Sequence, residues 1–147
     1  MSDETLNSHR AETRPGAGYS VAARISKEIV KLISAYTGRG PTKARTTLNT
    51  NVATVLLEDT LTRGEQHLVG AGEHQSVRQQ RAIFHRLMRE DAVAAVERAT
   101  GRTVRAYLSD VAPEADVAML AFVFDQRPET GEVSVAEAEG DGQRLGS

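Results

Sequence analysis

The sequence predicts an α+β domain of two layers, in which helices cover one face of a four-stranded antiparallel sheet made of two hairpins. Two observations predict this fold. Apolar residues recur at helical spacing in separate segments, and two pairs of short segments rich in β-branched or apolar residues each flank a turn. The predicted order of elements is α-β-β-α-α-β-β, which lets the helices bury one face of the sheet.

The first helix is predicted from the spacing of its apolar residues. Ser20 is a candidate N-cap, and Gly38 is a candidate stop because glycine readily adopts the left-handed conformation that ends helices. One face of this helix holds Val21, Ile25, Ile29, Leu32, Ile33 and Tyr36.

The strands are predicted as two hairpins. The first joins residues 42–48 to residues 52–58 through Asn49-Thr50-Asn51, whose small polar side chains favour a tight turn. The second joins residues 103–111 to residues 117–124.

A helix pair is predicted between the hairpins. Thr62 and Glu65 have the spacing of a capping box and open a short helix that ends near residues 70–72. A long helix follows from about Glu73 to Thr100, and Gly101 stops it. Its predicted apolar stripe contains Val77, Phe84, Leu87, Met88, Ala92, Ala95, Val96 and Ala99.

Composition limits the class of protein. The chain has 147 residues, 39% of them hydrophobic, which fits one compact domain over residues 20–125. Residues 1–19 and 126–147 are polar and are predicted to be disordered tails, the second of them acidic. The sequence contains no cysteine, which excludes disulfides and cysteine nucleophiles.

The charge and hydropathy of the chain point to a cytoplasmic protein. A formal net charge of -2 makes nucleic acid an unlikely partner. No apolar run resembles a signal peptide or reaches the ~20 residues of a membrane span.

The corner after the first helix is a candidate small-anion site. Arg39 lies between two glycines and before Pro41, so its side chain is carried by a sharply shaped turn. The candidate ligand-binding residues here are Gly38, Arg39, Gly40, Lys43 and Arg45. Two alternatives are a plain helix stop and an arginine that bonds buried carbonyl groups.

A basic stripe on the long helix is a candidate partner-binding surface. Arg78, Arg81, His85 and Arg89 follow spacings of 3, 4 and 4, so they are predicted to share one face, opposite much of the apolar face. Such a stripe can meet phosphates, lipid headgroups or an acidic partner. The alternative is a solvated helix face.

No residue pattern indicates a reaction, a metal site or a cofactor. His67, His74 and His85 lack the spacing of metal ligands and are expected to be solvated or to cap helices. Ser109 and Asp110 close a strand and could bind a ligand, or simply form a turn there. Nucleotide-binding and hydrolase fingerprints are missing from the sequence, so enzymatic activity has no positive support.

The last strand is apolar on both sides. Because Met119, Ala121 and Val123 alternate with Leu120, Phe122 and Phe124, one side of this strand could form a homo-oligomer interface. The alternative is a central strand buried within the monomer.

The order and spacing of five short motifs resemble those of the MpsC-like family, over about residues 20–125. The motifs are Gly38-Arg39-Gly40-Pro41, Leu61-Thr62-x-x-Glu65, Arg81-x-x-Phe84-x-x-x-Met88, Thr100-Gly101-Arg102-x-Val104 and Leu108-Ser109-Asp110. This family is named for a Na+-translocating, membrane-potential-generating system.

The resemblance implies a small accessory or regulatory subunit of a membrane-potential-generating or inorganic-carbon transport system. It implies an integral-membrane transporter subunit as partner and a location at the inner membrane face. Arg39, Ser109 and Asp110 match the most recognisable polar motifs. The alternative function is a stand-alone sensor that binds a small anion or a nucleotide.

Overall fold

A computed structural model describes residues 20–126, which form a four-stranded antiparallel sheet covered by helices. The predicted tails, apart from Gln126, lie outside the described residues. The elements are α1 (Val21–Thr37), β1 (Lys43–Leu48), β2 (Val52–Glu58), α2 (Arg63–Gly70), α3 (His74–Leu87), α4 (Arg89–Thr100), β3 (Val104–Ala112), a 3-10 turn (Pro113–Ala115) and β4 (Val117–Phe124). The α+β class and the predicted order of elements are confirmed.

The predicted caps set the ends of α1. The Ser20 hydroxyl accepts a hydrogen bond from the Ala23 amide at 3.0 Å and so satisfies a free N–H of the first turn. Gly38 ends the helix with φ of 86°, and its amide donates to the Ser34 carbonyl. A left-handed residue at this position turns the chain towards β1.

The two hairpins lie side by side in the order β1-β2-β4-β3, so β2 and β4 are central. The first hairpin turns at Asn49, whose side-chain oxygen accepts from the Asn51 and Val52 amides. The two hairpins pair through β2 and β4, where Val55 lies opposite Leu120. This register puts the buried side chains of both central strands on one face.

The core lies between that face and two helices. Ile25, Ile29 and Ile33 of α1 pack against it, together with Ala92 and Val96 of α4. The sheet contributes Ala53, Val55, Leu57, Val111, Ala118, Leu120, Phe122 and Phe124, and Met88 joins them from between α3 and α4.

The opposite face of the sheet carries apolar side chains that are half-buried or exposed, and we call it the open sheet face. It consists of Val52, Thr54, Leu56, Ala106, Leu108, Ala112, Val117, Met119, Ala121 and Val123, together with the acidic residues Glu58 and Asp110. Leu108 is 58% exposed and Met119 is 42% exposed, and these are the most exposed large apolar side chains of this face. Lys43 and Arg45 of the edge strand β1 border it beside Glu58 and Leu56.

The predicted long helix is divided. Met88 separates α3 from α4, although its amide still bonds the Phe84 carbonyl and its carbonyl still accepts from Ala92. Leu87, placed in the apolar stripe by the sequence, is 59% exposed instead. Within residues 20–126, none of the helices combines the length and apolar character that crossing a membrane requires.

Candidate functional site

Arg39 is held by acceptors of the protein itself. Its Nη1 donates to the carbonyl oxygens of Asp59 and Leu61 at 2.8 and 2.9 Å, and its Nη2 pairs with Asp59 Oδ1 at 3.1 Å. These contacts favour the alternative in which Arg39 bonds backbone carbonyls and ties the corner after α1 to the end of β2.

Two aspartates in the left-handed conformation complete this corner. Asp59 and Asp116 have φ of 59° and 55°, a region that aspartate tolerates better than most residues. Asp116 Oδ1 accepts from the amides of Thr60 and Leu61 at 2.8 and 3.1 Å. A hydrogen bond from Thr42, followed by those of Arg39, holds the pKa of the Asp59 carboxyl below its usual value.

The other predicted anion-binding residues lie around this corner. Gly40 packs its Cα side against Val30 and Ser34 of α1, so an added Cβ there would contact both side chains at 3.4 to 3.5 Å. Lys43 and Arg45 are exposed along β1, opposite Glu58 and Leu56 in register. An anion site at this corner stays a prediction. Several N–H donors of Arg39 are already bonded to Asp59 and Leu61.

The expectation that the basic stripe forms one exposed face is wrong for Arg81. Its side chain is 0% exposed, and Glu65, its partner, is 4% exposed. Arg81 Nε and Nη2 donate to the two carboxylate oxygens of Glu65 at 3.0 and 2.7 Å, a bidentate pair. Its Nη2 also donates to the Thr60 carbonyl at 2.7 Å.

Glu65 belongs to two structures at once. Its Oε1 accepts from the Thr62 amide at 2.8 Å, while the Glu65 amide donates to Thr62 Oγ1, which completes the predicted capping box. Burial acts to raise the pKa of Glu65, but the hydrogen bonds from Arg81 and Thr62 outweigh it and leave the pKa lowered. The carboxylate is therefore charged in the interior, where it joins α2 to α3.

His85 also lies inside the protein, so its expected solvated or capping role is wrong. The residue is 1% exposed. Neither ring nitrogen has a hydrogen-bond partner among the described residues. Burial, helped by the charge of Arg81 and opposed by Asp110, lowers the pKa of His85 to about 4. The imidazole is therefore neutral at physiological pH.

His85 forms part of the floor of a groove of about 250 Å³ between α3 and β3, which we call the His85 groove. Its lining consists of Gln75, Arg78, Gln79, Ala82, His85, Ser109, Asp110 and Val111. The Tyr107 hydroxyl donates to the His85 carbonyl at 2.9 Å, which fastens α3 over the strand. Burial raises the pKa of Tyr107 to about 12, so this donor stays protonated.

The groove brings together residues that the sequence analysis had assigned to different sites. Arg78 Nη2 contacts both carboxylate oxygens of Asp110 at 3.1 and 2.9 Å. Asp110 Oδ1 also accepts from the Val111 amide, and this bond leads the causes that lower the pKa of Asp110. Arg89 is exposed at the start of α4 and does not line the groove.

The sequence carried a signal for the buried polar residues. Val77, Arg81, His85 and Met88 follow spacings of 4, 4 and 3, and these four side chains form the buried side of α3 and its end. When these four residues are taken as one helical stripe, Arg81 and His85 lie between apolar residues. The acidic partner, 16 positions upstream, could not be read from that period.

The groove has features that suit the binding of a small molecule. In the part of the chain that the structure describes, no group of three or more acidic or histidine side chains is placed to hold a metal ion. The groove offers neutral donors and acceptors beside a balanced ion pair, with Ala82 and Val111 as its apolar residues.

Comparison with known proteins identifies the family. A family model described as "Na+-translocating membrane potential-generating system (MpsC)" matches residues 19–126. The search of curated proteins returned no match, and neither did the search of solved structures. Because the matched segment is well over half of the sequence, the chain belongs to the MpsC family.

Proposed function

We propose that this protein is an accessory or regulatory subunit that docks on an integral-membrane subunit of a membrane-potential-generating, inorganic-carbon transport system. The family name supplies the link to Na+ translocation and membrane potential. The docking surface is the open sheet face, and its apolar character is the observation that carries the proposal.

The open sheet face has the character of an interface. The half-buried Leu56 lies opposite Met119, and Leu108 lies diagonally across from Met119 on the next strand, so the three side chains are neighbours on one face. Surfaces of this kind on soluble domains mark sites of interaction, whereas single exposed apolar residues do not. Burying Leu108 and Met119 against a partner would remove them from water and stabilise the complex.

Charge at the border of the face indicates the kind of partner. Lys43 and Arg45 are exposed on the edge strand β1, where Glu58 lies opposite Lys43. Asp110 lies on the other edge strand and is paired with Arg78. We therefore infer that the membrane subunit presents an apolar segment, with an acidic side chain where it meets Arg45. Contacts of this kind weaken as salt screens the charges, so the complex should weaken at high ionic strength.

Co-purification tests this proposal. The tagged protein is co-expressed with the integral-membrane subunits of the Na+-translocating system, and detergent-solubilised membranes are passed over the tag resin. Wild type should retain a membrane subunit, and Leu108→Asp should lose it. Leu87→Asp is the matched control, because Leu87 on α3 is equally exposed, 59% against 58%, and lies outside the open sheet face.

Three results would overturn the proposal. Wild type retains no membrane subunit; Leu108→Asp and Leu87→Asp retain it equally well; or the purified protein is a dimer that Leu108→Asp converts to monomer. The last result would assign the open sheet face to a second copy of this chain, the homo-oligomer that the apolar pattern of β4 allows.

A further inference from the structure

The His85 groove contains a buried group whose hydrogen-bonding capacity is unused. The His85 side chain is 1% exposed, and both of its ring nitrogens lack a partner among the described residues. Buried polar groups in folded proteins are nearly always hydrogen-bonded, because leaving them unpaired costs free energy. The ring lines the groove, but its nitrogens are closed to solvent, so a partner reaches them from the groove when a side chain of the wall moves.

The protonation state of the ring defines what that partner must offer. At neutral pH the imidazole is uncharged, since burial and the nearby Arg81 lower its pKa to about 4. A neutral imidazole has one N–H donor and one nitrogen acceptor. The complementary molecule therefore carries both an acceptor and a donor.

The walls of the groove have the same mixed character. Gln75, Gln79 and Ser109 each supply a donor and an acceptor. The two charged residues of the lining, Arg78 and Asp110, form an ion pair with a separation of 2.9 Å and so offset each other. Because the lining has no unbalanced charge, it favours an uncharged ligand over an anion.

The size of the groove points to a molecule larger than water. Its volume is about 250 Å³, whereas one water occupies about 30 Å³ in the liquid. Val111 and Ala82 add apolar surface to the lining, which suits a flat or compact organic group.

From these observations we propose that the His85 groove binds a small uncharged molecule with an amide or lactam group, the class that includes carboxamides and nucleobases. Such a group holds a donor and an acceptor side by side. His85, Gln79 and Gln75 are the residues that recognise it, and the Arg78–Asp110 pair lies beside them. The groove meets the edge of the open sheet face at Asp110, which lies opposite Met119. Gln75, Gln79 and His85 belong to α3 and lie outside that face.

Nuclear magnetic resonance of the purified protein tests this proposal directly. The probes are nicotinamide, uracil and cytosine, each of which carries an amide or lactam group, with acetate and inorganic phosphate as charged comparisons. The imidazole 15N resonances of His85 report on its two nitrogens. At least one uncharged probe should shift these resonances in a saturable manner, while the resonances of His67 and His74 remain in place.

Two variants keep the test independent of folding. Gln79 is exposed, so Gln79→Met should fold normally and should weaken binding about tenfold through loss of its amide. His85→Phe keeps a ring but removes both nitrogens, and should abolish the saturable shift in thermal unfolding temperature. His74→Phe is the matched control, since His74 lies at the start of the same helix but does not line the groove.

Several results would reject the proposal. One is binding of acetate or phosphate but of no uncharged probe. Another is equal binding of a probe by wild type and Gln79→Met. The third is that no probe shifts the His85 resonances, which would mean that water alone fills the groove. The experiment contains no membrane and no partner. A negative result in this experiment therefore does not affect the docking proposal. A negative result in the docking experiment does not affect the ligand-binding proposal.

Discussion

Arg81 and Glu65 are the residues whose replacement should cost the most stability. Both are buried, and they form a bidentate ion pair with nitrogen–oxygen distances of 3.0 and 2.7 Å. Removing one partner leaves an uncompensated charge inside the protein, which typically costs about 3–5 kcal/mol.

Arg81→Met should therefore lower the free energy of unfolding by about 3–5 kcal/mol in urea denaturation. Arg78→Met is the control on the same helix, because the Arg78–Asp110 pair is exposed and should contribute less than ~1 kcal/mol. If the two variants lost similar amounts of unfolding free energy, the large contribution expected of the buried Arg81–Glu65 pair would be contradicted.

His85 should make stability depend on pH in a defined window. Its pKa is lowered from 6.5 to about 4. Between these two pH values the imidazole is protonated in the unfolded chain but not in the folded protein. Stability is complete above the unfolded pKa and falls as pH decreases towards 4, by roughly 3 kcal/mol in total. The charges that act on the ring are Arg81 on its own helix and Asp110 on β3, and the Tyr107 hydroxyl bonds the His85 carbonyl. The pKa of Asp110 is lowered and that of Tyr107 is raised to about 12, so neither is expected to titrate in this window.

Urea denaturation at several pH values between 7 and 4.5 checks this prediction. His85→Gln should flatten the curve over that range relative to wild type. Asp59, Glu65 and Asp110 have lowered pKa values, so their contributions are lost only at lower pH. A curve with the same slope in both proteins would mean that His85 does not titrate as described.

Arg39 should behave as a structural residue. It bridges two carbonyl oxygens and one carboxylate, so Arg39→Ala should reduce the free energy of unfolding by about 1–3 kcal/mol. Arg39→Lys should recover only part of the loss, because lysine keeps the charge but not the planar fork. Arg45→Ala, on an exposed strand position, should change stability by less than about 0.5 kcal/mol. If Arg39→Ala leaves the free energy of unfolding unchanged, the structural role is contradicted and the anion site at this corner is favoured instead.

At the scale of elements, the caps and turns explain why the sequence predicted the fold well. Residues 52–58 and 117–124 are strands with the bounds that their sequence pattern indicated, and the capping box of Thr62 begins α2 as expected. These features are local: a cap, a turn and an alternating pattern each involve residues within a few positions of one another.

The same local features could not reveal the candidate site. Arg81 pairs with Glu65, 16 positions upstream, and Arg39 pairs with Asp59, 20 positions downstream. Such pairs depend on how whole elements pack, so spacing along the chain says nothing of them. The helical period predicts a basic face opposite much of the apolar face, and so it places His85 and Arg81 on the surface instead of in the interior.

Element-scale stability can be tested at the start of α2. Thr62→Ala removes the side-chain acceptor for the Glu65 amide and should cost about 1 kcal/mol in chemical denaturation. Ser76→Ala replaces an exposed residue inside α3 and should be neutral or slightly stabilising, because alanine is the better helix former. A neutral Thr62→Ala variant would show that the capping box contributes little here.

At the scale of the whole molecule, one face of the sheet is sealed by helices and the other is open. The sealed face carries the core, with Val55, Leu120 and Phe122 fully buried. The open sheet face carries Leu108 and Met119 in contact with solvent. A fold of two layers thus leaves one apolar surface without a covering layer in the described residues, and membership of the MpsC family links the protein to a membrane system that could supply a partner.

The most direct test of docking uses proteoliposomes that contain the integral-membrane subunits of the system and a potential-sensitive dye. With wild-type protein added on the cytoplasmic side, Na+-dependent membrane potential should rise or fall with protein concentration and saturate. Leu108→Asp should have no effect at concentrations where Leu87→Asp acts like wild type. Docking through the open sheet face would be contradicted if both variants changed the membrane potential equally. It would also be contradicted if neither the variants nor the wild-type protein changed it.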